Sequence, residues 1–352
     1  MKNKLIFEFS KNKTDGDSSL NNLLGGKGAN LAEMSNMEIP VPPGFTITTE
    51  VCNYFTENKN LPNSLDNEIR QAVSKLENLS DKCFGGEGTP LLLSVRSGGR
   101  VSMPGMMDSI LNIGLNDSNV SQLAEAFNDE RFALDSYRRL IQMYSNVVLG
   151  VEHERFEAVL ANKKRMDNVV SDADFNVDQL NWIINAYKNT VERFTDSLFP
   201  QEPYEQLTGA IEAVFNSWQN KRAATYRKIN NIPDSWGTGA TIQTMVFGNL
   251  NDKSGTGVAF TRNPSNGDKE LYGEYLINAQ GEDVVAGIRT PHPITKHSKV
   301  EQESLESKFP KAYKELLEIS TKLENHFKEA QDIEFTIENG VIYLLQTRTA
   351  KR

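Results

Sequence analysis

Asp332-Ile333-Glu334-Phe335-Thr336-Ile337-Glu338-Asn339-Gly340-Val341-Ile342-Tyr343-Leu344-Leu345-Gln346-Thr347-Arg348 stands four residues short of the end of the sequence and reads as a β-hairpin. Its first strand alternates with period two: Ile333, Phe335 and Ile337 share one face, Asp332, Glu334 and Thr336 the other. Taking Glu338-Asn339-Gly340 as a three-residue loop, with Gly340 left-handed in a G1 bulge, sets position 334 against 344 and 332 against 346. One face then collects Ile333, Phe335, Ile337, Val341, Tyr343 and Leu345, and the other Asp332, Glu334, Gln346 and Arg348. A two-residue Asn339-Gly340 turn would instead carry Gln346 among the isoleucines, where its amide would need buried partners. We therefore expect the three-residue loop. Two carboxylates, an amide and a guanidinium on one face compose a site for a metal and a phosphate, although the same pattern also fits a surface hairpin whose polar face meets solvent.

Two upstream segments combine glycine with cations. Leu23-Leu24-Gly25-Gly26-Lys27-Gly28-Ala29-Asn30-Leu31 places three glycines around one lysine, ahead of an amphipathic helical run through Met34. Such a loop brings backbone N–H groups and an ammonium close to an anion at a helix start. It lacks the four-residue gap and the Ser or Thr after Lys of a Walker P-loop, and a glycine-rich turn with a solvated lysine has the same appearance. In Leu91-Leu92-Leu93-Ser94-Val95-Arg96-Ser97-Gly98-Gly99-Arg100-Val101-Ser102-Met103-Pro104-Gly105-Met106-Met107-Asp108, an apolar strand delivers Arg96 to its end and a small-residue loop follows. Arginine offers a planar fork suited to phosphate oxygens. A strand-end ion pair and methionines packed into the core are the alternative reading of this run.

The 352 residues allow two to three domain-sized units and a substantial core. A net charge of −9 argues against nucleic acid as a partner. The two cysteines, Cys52 and Cys83, form no motif and fit a reducing, intracellular setting, here expected to be the cytoplasm. No apolar stretch approaches the ~18 residues of a membrane span, so no membrane partner is expected. The start, Met1-Lys2-Asn3-Lys4-Leu5-Ile6-Phe7-Glu8, has too short an apolar run for a signal peptide and reads as a first strand.

Along the chain, short strands mix with the two cationic segments over residues 1–115, and helical spacing takes over at 116–200, with Phe132, Leu140, Ile141, Tyr144, Val147 and Val148 and then Leu180, Ile183, Ile184 and Tyr187. Lys163-Lys164-Arg165 reads as a solvated face. Beyond Phe199-Pro200 one long helix is expected through Trp218 to Tyr226, then strands at 241–247, 256–261 and 271–278, a helix near 310–329 and the hairpin. The division is thus 1–115, 116–200 and 201–352.

The runs LLGGKGANLAEM, SVRSGGRVSMPGMMD, SYRRLIQMYS, QTMVFGN, SGTGVAFTRNPS, GEYLINAQGEDVVAG and DIEFTIENGVIYLLQTR, from about residue 20 to the end, resemble the nucleotide-binding domain of the pyruvate, phosphate dikinase family. SMPGMMD separates that family from phosphoenolpyruvate synthase, which writes this loop differently. Gly99 stands where the family usually has alanine, a change that loosens the loop without removing a functional group.

The resemblance implies an α+β ATP-grasp fold, two α+β lobes around an ATP cleft with a helical insertion. It implies that Lys27 and Arg96 hold the triphosphate, joined by Arg348 and by Arg139 of SYRR, and that Glu334 and Gln346, with Asp332 beside them, bind Mg²⁺. Gln243 and Met245 would border the adenine and Glu282 fix the nucleoside. Thr256, Gly257, Glu274 and Asp283 would line the same cleft, and Gly105 and Met107 would belong to a loop covering the phosphates. Phosphoryl transfer asks mainly for cations positioned around developing charge, and Mg²⁺ takes hard oxygen ligands, so these residue types suit that role.

Within the family the phosphoryl acceptor is a histidine of a separate mobile domain, in a run like TSHA, and pyruvate binds in a third domain. His153, His292, His297 and His326 lie in no such context and read as surface or helix-face residues. We therefore read the chain as the first domain of a longer dikinase with ATP and phosphate as substrates. Carrier-histidine and pyruvate-binding domains of the same enzyme would be its partners. A phosphoenolpyruvate synthase or antibiotic-phosphorylating relative, and a nucleotide sensor without turnover, are the competing readings. Retention of every cation and ligand candidate speaks against the sensor, which need not keep groups that serve only a transition state.

Overall fold

A computed structural model describes residues 4–287, 289–296 and 303–350, so His297 and Met1 to Asn3 lie outside the described residues. Ten strands appear among the described residues: β1 Ile6–Phe9, β2 Gly44–Ile47, β3 Leu93–Gly99, β4 Ser109–Ile113, β5 Thr238–Thr244, β6 Gly255–Phe260, β7 Tyr272–Ile277, β8 His292–Pro293, β9 Gln331–Glu338 and β10 Val341–Thr349. They form two five-stranded sheets, ordered β1-β2-β5-β3-β4 and β10-β9-β6-β7-β8. With the helices in their own segments and the paired strands antiparallel, the class is α+β, as expected. The described residues fall into two compact units. One comprises the described residues up to 7, with 22–25 and 44–245, the other 8–21, 26–43 and the described residues from 246 onward. No helix among the described residues is long and apolar enough to cross a membrane.

In the first unit β5, Thr-Gly-Ala-Thr-Ile-Gln-Thr, is buried along its whole length, and its small and β-branched residues suit a central strand covered on both faces. It pairs antiparallel with β2 and β3. β3 does not stop at Arg96 as the sequence suggested. Ser97, Gly98 and Gly99 continue the ladder opposite Ala240, Gly239 and Thr238, so Arg96 sits mid-strand. The expected helical stretch is present as Val120–Phe127, Glu130–Val147, His153–Asp167 and Val177–Thr195. Its core includes Phe156 edge-on to Tyr187, with ring centroids 4.9 Å apart.

The single long helix expected through Trp218 is two helices, Pro203–Ser217 and Lys221–Ile229. Two side chains account for the break. The Trp218 indole N–H donates to the Asp234 carbonyl at 3.0 Å, and the Asn220 side chain accepts from the Ala223 N–H at 2.7 Å, starting the second helix afresh.

In the second unit Ile333, Phe335 and Ile337 of β9 and Ile342 and Leu344 of β10 are fully buried in one core. The helix Pro310–Phe327 supplies Ala312, Leu316, Ile319 and Leu323 to the same cluster, one apolar stripe at helical spacing.

The hairpin register differs from the expected one. Glu338 pairs with Val341, so the loop is the two-residue Asn339-Gly340 turn, with φ of 49° and 81°. Ile342 and Leu344 therefore face the core, while Val341 is exposed and Tyr343 and Leu345 are half-buried. A bulge between Leu344 and Gln346 then restores the polar alignment, with Glu334 opposite Gln346 and Asp332 opposite Arg348. The cost foreseen for a two-residue turn, an amide among isoleucines, is avoided by one extra residue in the strand.

Candidate functional site

On the polar face of the hairpin in the second unit, Gln346 donates through Nε2 to Glu334 Oε1 at 3.0 Å. Arg348 donates through Nε to Asp332 Oδ2 at 2.6 Å, a charge-assisted bond whose carboxylate is largely covered. Asp332, Glu334, Gln346 and Arg348 thus form two cross-strand pairs on alternate rungs of one ladder, with Thr347 opposite Ile333 between them, as the sequence grouped them, though by another register. Glu334 and the Gln346 carbonyl are hard oxygen donors of the kind Mg²⁺ takes. Two protein oxygens plus phosphate oxygens and waters is a usual set for that ion, so the residues present fit it.

Lys27 belongs to the same unit. The expected glycine loop is reduced to one non-helical residue, Gly25 (φ 70°, ψ 162°), inside the helical run Asn21–Asn36. A Cβ on Gly25 would lie 1.7 Å from the Gly98 carbonyl oxygen, so glycine is required there by space as well as by φ. Helix resumes at once, which puts half-buried Lys27 in the first turn after the break.

Three residues on, Asn30 donates from its amide to the Thr347 carbonyl at 2.8 Å. Residues three apart on a helix are neighbours on one face, so Lys27 lies on the face turned toward the strand that carries Gln346 and Arg348. The Asn30 contact, which ties this helix to β10, is one that the sequence reading missed. Its signal was the i, i+3 spacing from Lys27, which cannot show what the helix packs against.

The first unit gathers a second set. Arg96 on β3 donates through Nη2 to Gln243 Oε1 on β5 at 2.8 Å, and both side chains are buried. The register explains the pairing: Arg96 stands opposite Thr241 and Gln243 lies two residues further on, on the same face. Met245, also buried, follows the end of β5 and is tied by its N–H to the Leu92 carbonyl at 2.9 Å.

Arg139, on the helix Glu130–Val147, donates to Asp135 Oδ2 at 3.0 Å while Arg138 takes Oδ1 at 2.8 Å. Burial would raise the Asp135 carboxyl, but the guanidiniums of Arg138, Arg139 and Arg131 hold it well below the usual carboxylate range. Arg139 is thereby oriented by a buried anion.

The remaining candidates differ in their surroundings. Thr256 is buried and donates to the Phe335 carbonyl at 3.1 Å. Gly257 has no room for a side chain, since a Cβ would come within 2.6 Å of the Phe335 ring. Glu274 is exposed on β7. Glu282 lies half-buried in the first turn of the helix Gly281–Ala286, where the Asp283 carboxylate accepts from the Gln280 N–H at 2.9 Å. Gly105 (φ 68°) and Met107 belong to the β3–β4 loop of the first unit, the former exposed and the latter half-buried.

Among the histidines, His153 and His326 sit on helices beside Glu157 and Glu33, at 3.4 and 2.6 Å. His292 differs from expectation: it is half-buried on β8 against the Tyr275 ring.

An α+β architecture, a lysine-bearing helix start and a hairpin that groups two carboxylates, an amide and an arginine are features compatible with a nucleotide-binding domain. The family described as pyruvate phosphate dikinase, AMP/ATP-binding domain, matches residues 21–83, 59–312 and 296–352, and the chain belongs to that family, whose ATP-grasp type agrees with the α+β class. It is 53% identical over 352 residues to pyruvate, phosphate dikinase of Rickettsia prowazekii (strain Madrid E) and 51% identical over 351 residues to that of Clostridium symbiosum. Identity to the chloroplastic pyruvate, phosphate dikinase of Mesembryanthemum crystallinum is 48% over 350 residues. Each match covers 99% of this chain but only 40%, 39% and 36% of the respective relative, so the chain spans about 40% of the length of the curated relatives it matches.

Proposed function

We propose that this domain binds Mg·ATP and carries out the ATP-dependent partial reaction of a pyruvate, phosphate dikinase. The observation that carries the reading is the bulge-corrected hairpin, which sets Glu334 beside Gln346 and Arg348 beside Asp332 on one face, with the helix of Lys27 tied to the same strand through Asn30. Glu334 and Gln346, with Asp332 next to them, would hold Mg²⁺, which when bound neutralises phosphate charge. Lys27, Arg348, Arg96 and Arg139 would supply the cations around the triphosphate. Gln243 and Met245 would border the adenine, Glu282 would fix the nucleoside, and Thr256, Gly257, Glu274 and Asp283 would line its surroundings.

In the whole enzyme, the β-phosphoryl end of ATP would pass as a pyrophosphoryl group to a carrier histidine, releasing AMP. Phosphate would then take the terminal phosphoryl as pyrophosphate, and the histidine-bound phosphoryl would go to pyruvate, giving phosphoenolpyruvate. The side chains assigned here act by position and charge, with no proton transfer asked of them, because a neutral imidazole is already a nucleophile. The carrier histidine and the pyruvate site would lie in other domains, and the setting would be cytoplasmic. A phosphoenolpyruvate synthase differs in using water where the dikinase uses phosphate.

The test is an ATP-to-AMP assay of the 352-residue chain with and without a carrier-histidine domain added in trans. AMP should form only when that domain is present, and slowly, since a separate partner at micromolar levels forfeits an effective concentration on the order of millimolar. Phosphoenolpyruvate made from ATP, phosphate and pyruvate by this chain alone would overturn the assignment of the remaining chemistry to other domains.

A further inference from the structure

The β3–β4 loop, residues 100–108, lies against the helix Lys221–Ile229, with Arg100 at its start over the Trp236 ring at 5.1 Å. Beside them an open depression of about 440 Å³ is lined by Met106 of the loop and by Lys221, Arg222, Thr225, Tyr226 and Ile229 of the helix. Met103 is buried and anchors one side of the loop, but Val101, Ser102, Pro104 and Gly105 are exposed. Polar contacts that tie the loop to this helix and its cap include three among the described residues. Arg222 meets Asp108 at 3.5 Å with its side chain 65% exposed, and the Tyr226 hydroxyl reaches the Ser102 carbonyl at 3.5 Å. At those lengths and that exposure, both are weak.

The third contact is of a different quality. Asn220 donates from its amide nitrogen to the Met106 carbonyl at 3.0 Å, while its amide oxygen accepts the Ala223 N–H at 2.7 Å. The group that starts the helix also holds the backbone next to Gly105. Its orientation is fixed by the cap, so it meets the loop with little further loss of side-chain freedom.

We infer that Asn220 is the positioning residue for the loop 100–108, holding it in the form in which it meets the phosphates of a bound nucleotide. The inference rests on the nucleotide reading above. It also gives a purpose to the break at residues 218–220: an uninterrupted helix would leave no capping side chain at this point to reach Met106.

Two variants separate the duties of Asn220. N220D and N220S both keep an oxygen that can cap the helix, but Asp presents no donor to the Met106 carbonyl and Ser is too short to reach it. In the full 352-residue chain, both should bind Mg·ATP about fivefold or more weakly by calorimetry, as expected for one lost hydrogen bond, with little change in melting temperature. Trypsin should cut after Arg100 faster than in the parent, and added Mg·ATP should protect that bond less. Parent-like Mg·ATP affinity in both variants would overturn the inference, as would weak binding in N220D alone, which would mark a charge effect. A parent chain that fails to bind Mg·ATP would instead sink the nucleotide reading, and the cleavage rates would then still decide whether Asn220 holds the loop.

Discussion

The side-chain amide of Asn30 donates to the carbonyl oxygen of Thr347 at 2.8 Å, and Thr347 lies between Gln346 and Arg348 on β10. This bond joins the helix that starts just before Lys27 to the strand that carries a candidate metal ligand and a candidate phosphate cation. Its loss should let the lysine and the hairpin drift independently. For Asn30→Asp, which keeps the size but removes the donor, we expect Mg·ATP binding about tenfold weaker. Thermal stability should fall by no more than about 1–2 kcal/mol, the usual scale for one hydrogen bond. Calorimetric titration and thermal melts of the same samples check this. A variant with parent affinity would show that Asn30 merely packs.

Arg96 and Arg348 should separate in their stability costs. Arg96→Ala leaves the buried Gln243 oxygen without its donor, a loss of about 1–3 kcal/mol, whereas the half-exposed Arg348 can be cut back at about 1 kcal/mol or less. Both should depress the ATP half-reaction well beyond those figures. Urea melts compared with AMP formation in the reconstituted assay decide the point. A parent rate in either variant would remove that arginine from the site.

Asp135 gives a pH test. Its carboxyl is held low by three arginines, so its folded-state pKa lies below its unfolded value. The contribution is therefore complete at neutral pH, above the unfolded value of about 3.9, and is lost as pH falls below that toward the folded pKa. Asp135→Asn should cost about 3–5 kcal/mol at pH 7, because it leaves buried Arg138 uncompensated, and the deficit relative to the parent should shrink below about pH 4. Chemical denaturation of the two proteins at pH 7 and pH 3.5 measures it. A deficit that does not change with pH would mean the ion cluster is not what the substitution removes.

Glycines should divide by space. Gly25→Ala places a methyl 1.7 Å from the Gly98 oxygen at a φ of 70° and should cost several kcal/mol or prevent folding. Gly105→Ala, at a φ of 68° but with nothing within 4 Å, should cost only about 1 kcal/mol. Gly99→Ala supplies the alanine that the family resemblance leads one to expect at this position. It would meet the Val101 backbone oxygen at 3.2 Å, a tight contact that a small shift of the loop can relieve, so its cost should fall well below that of Gly25→Ala. Melting temperatures of the three rank them, and a Gly25→Ala protein as stable as Gly105→Ala would refute the kinked helix.

The polar face of the hairpin was legible because alternation in β9 fixes which side chains share a side whatever the partner strand does. Register was not legible, because two loops and a bulge can satisfy the same polar grouping. The Leu345 bulge depends on how Ile342 and Leu344 fill the core shared with the helix Pro310–Phe327. The same limit explains β3: Ser97-Gly98-Gly99 has poor strand propensity, and only pairing with β5 makes it strand. The break at Trp218 is likewise set by partners distant in sequence, among them Asp234. The Arg96–Gln243 and Asn30–Thr347 bonds span 147 and 317 residues, and no local pattern can announce them.

Thermal unfolding of the chain with ATP, with and without Mg²⁺, for the parent and for Glu334→Ala, tests the central claim most directly. A ligand selective for the folded state at about a hundred times its dissociation constant stabilises by about 2.7 kcal/mol, a shift of several degrees. The parent should show that shift with ATP and Mg²⁺ together and much less with ATP alone, and Glu334→Ala should lose the Mg²⁺-dependent part. A parent shift that is the same without Mg²⁺, or a Glu334→Ala protein that responds as the parent does, would contradict the assignment of the hairpin as the metal and phosphate site.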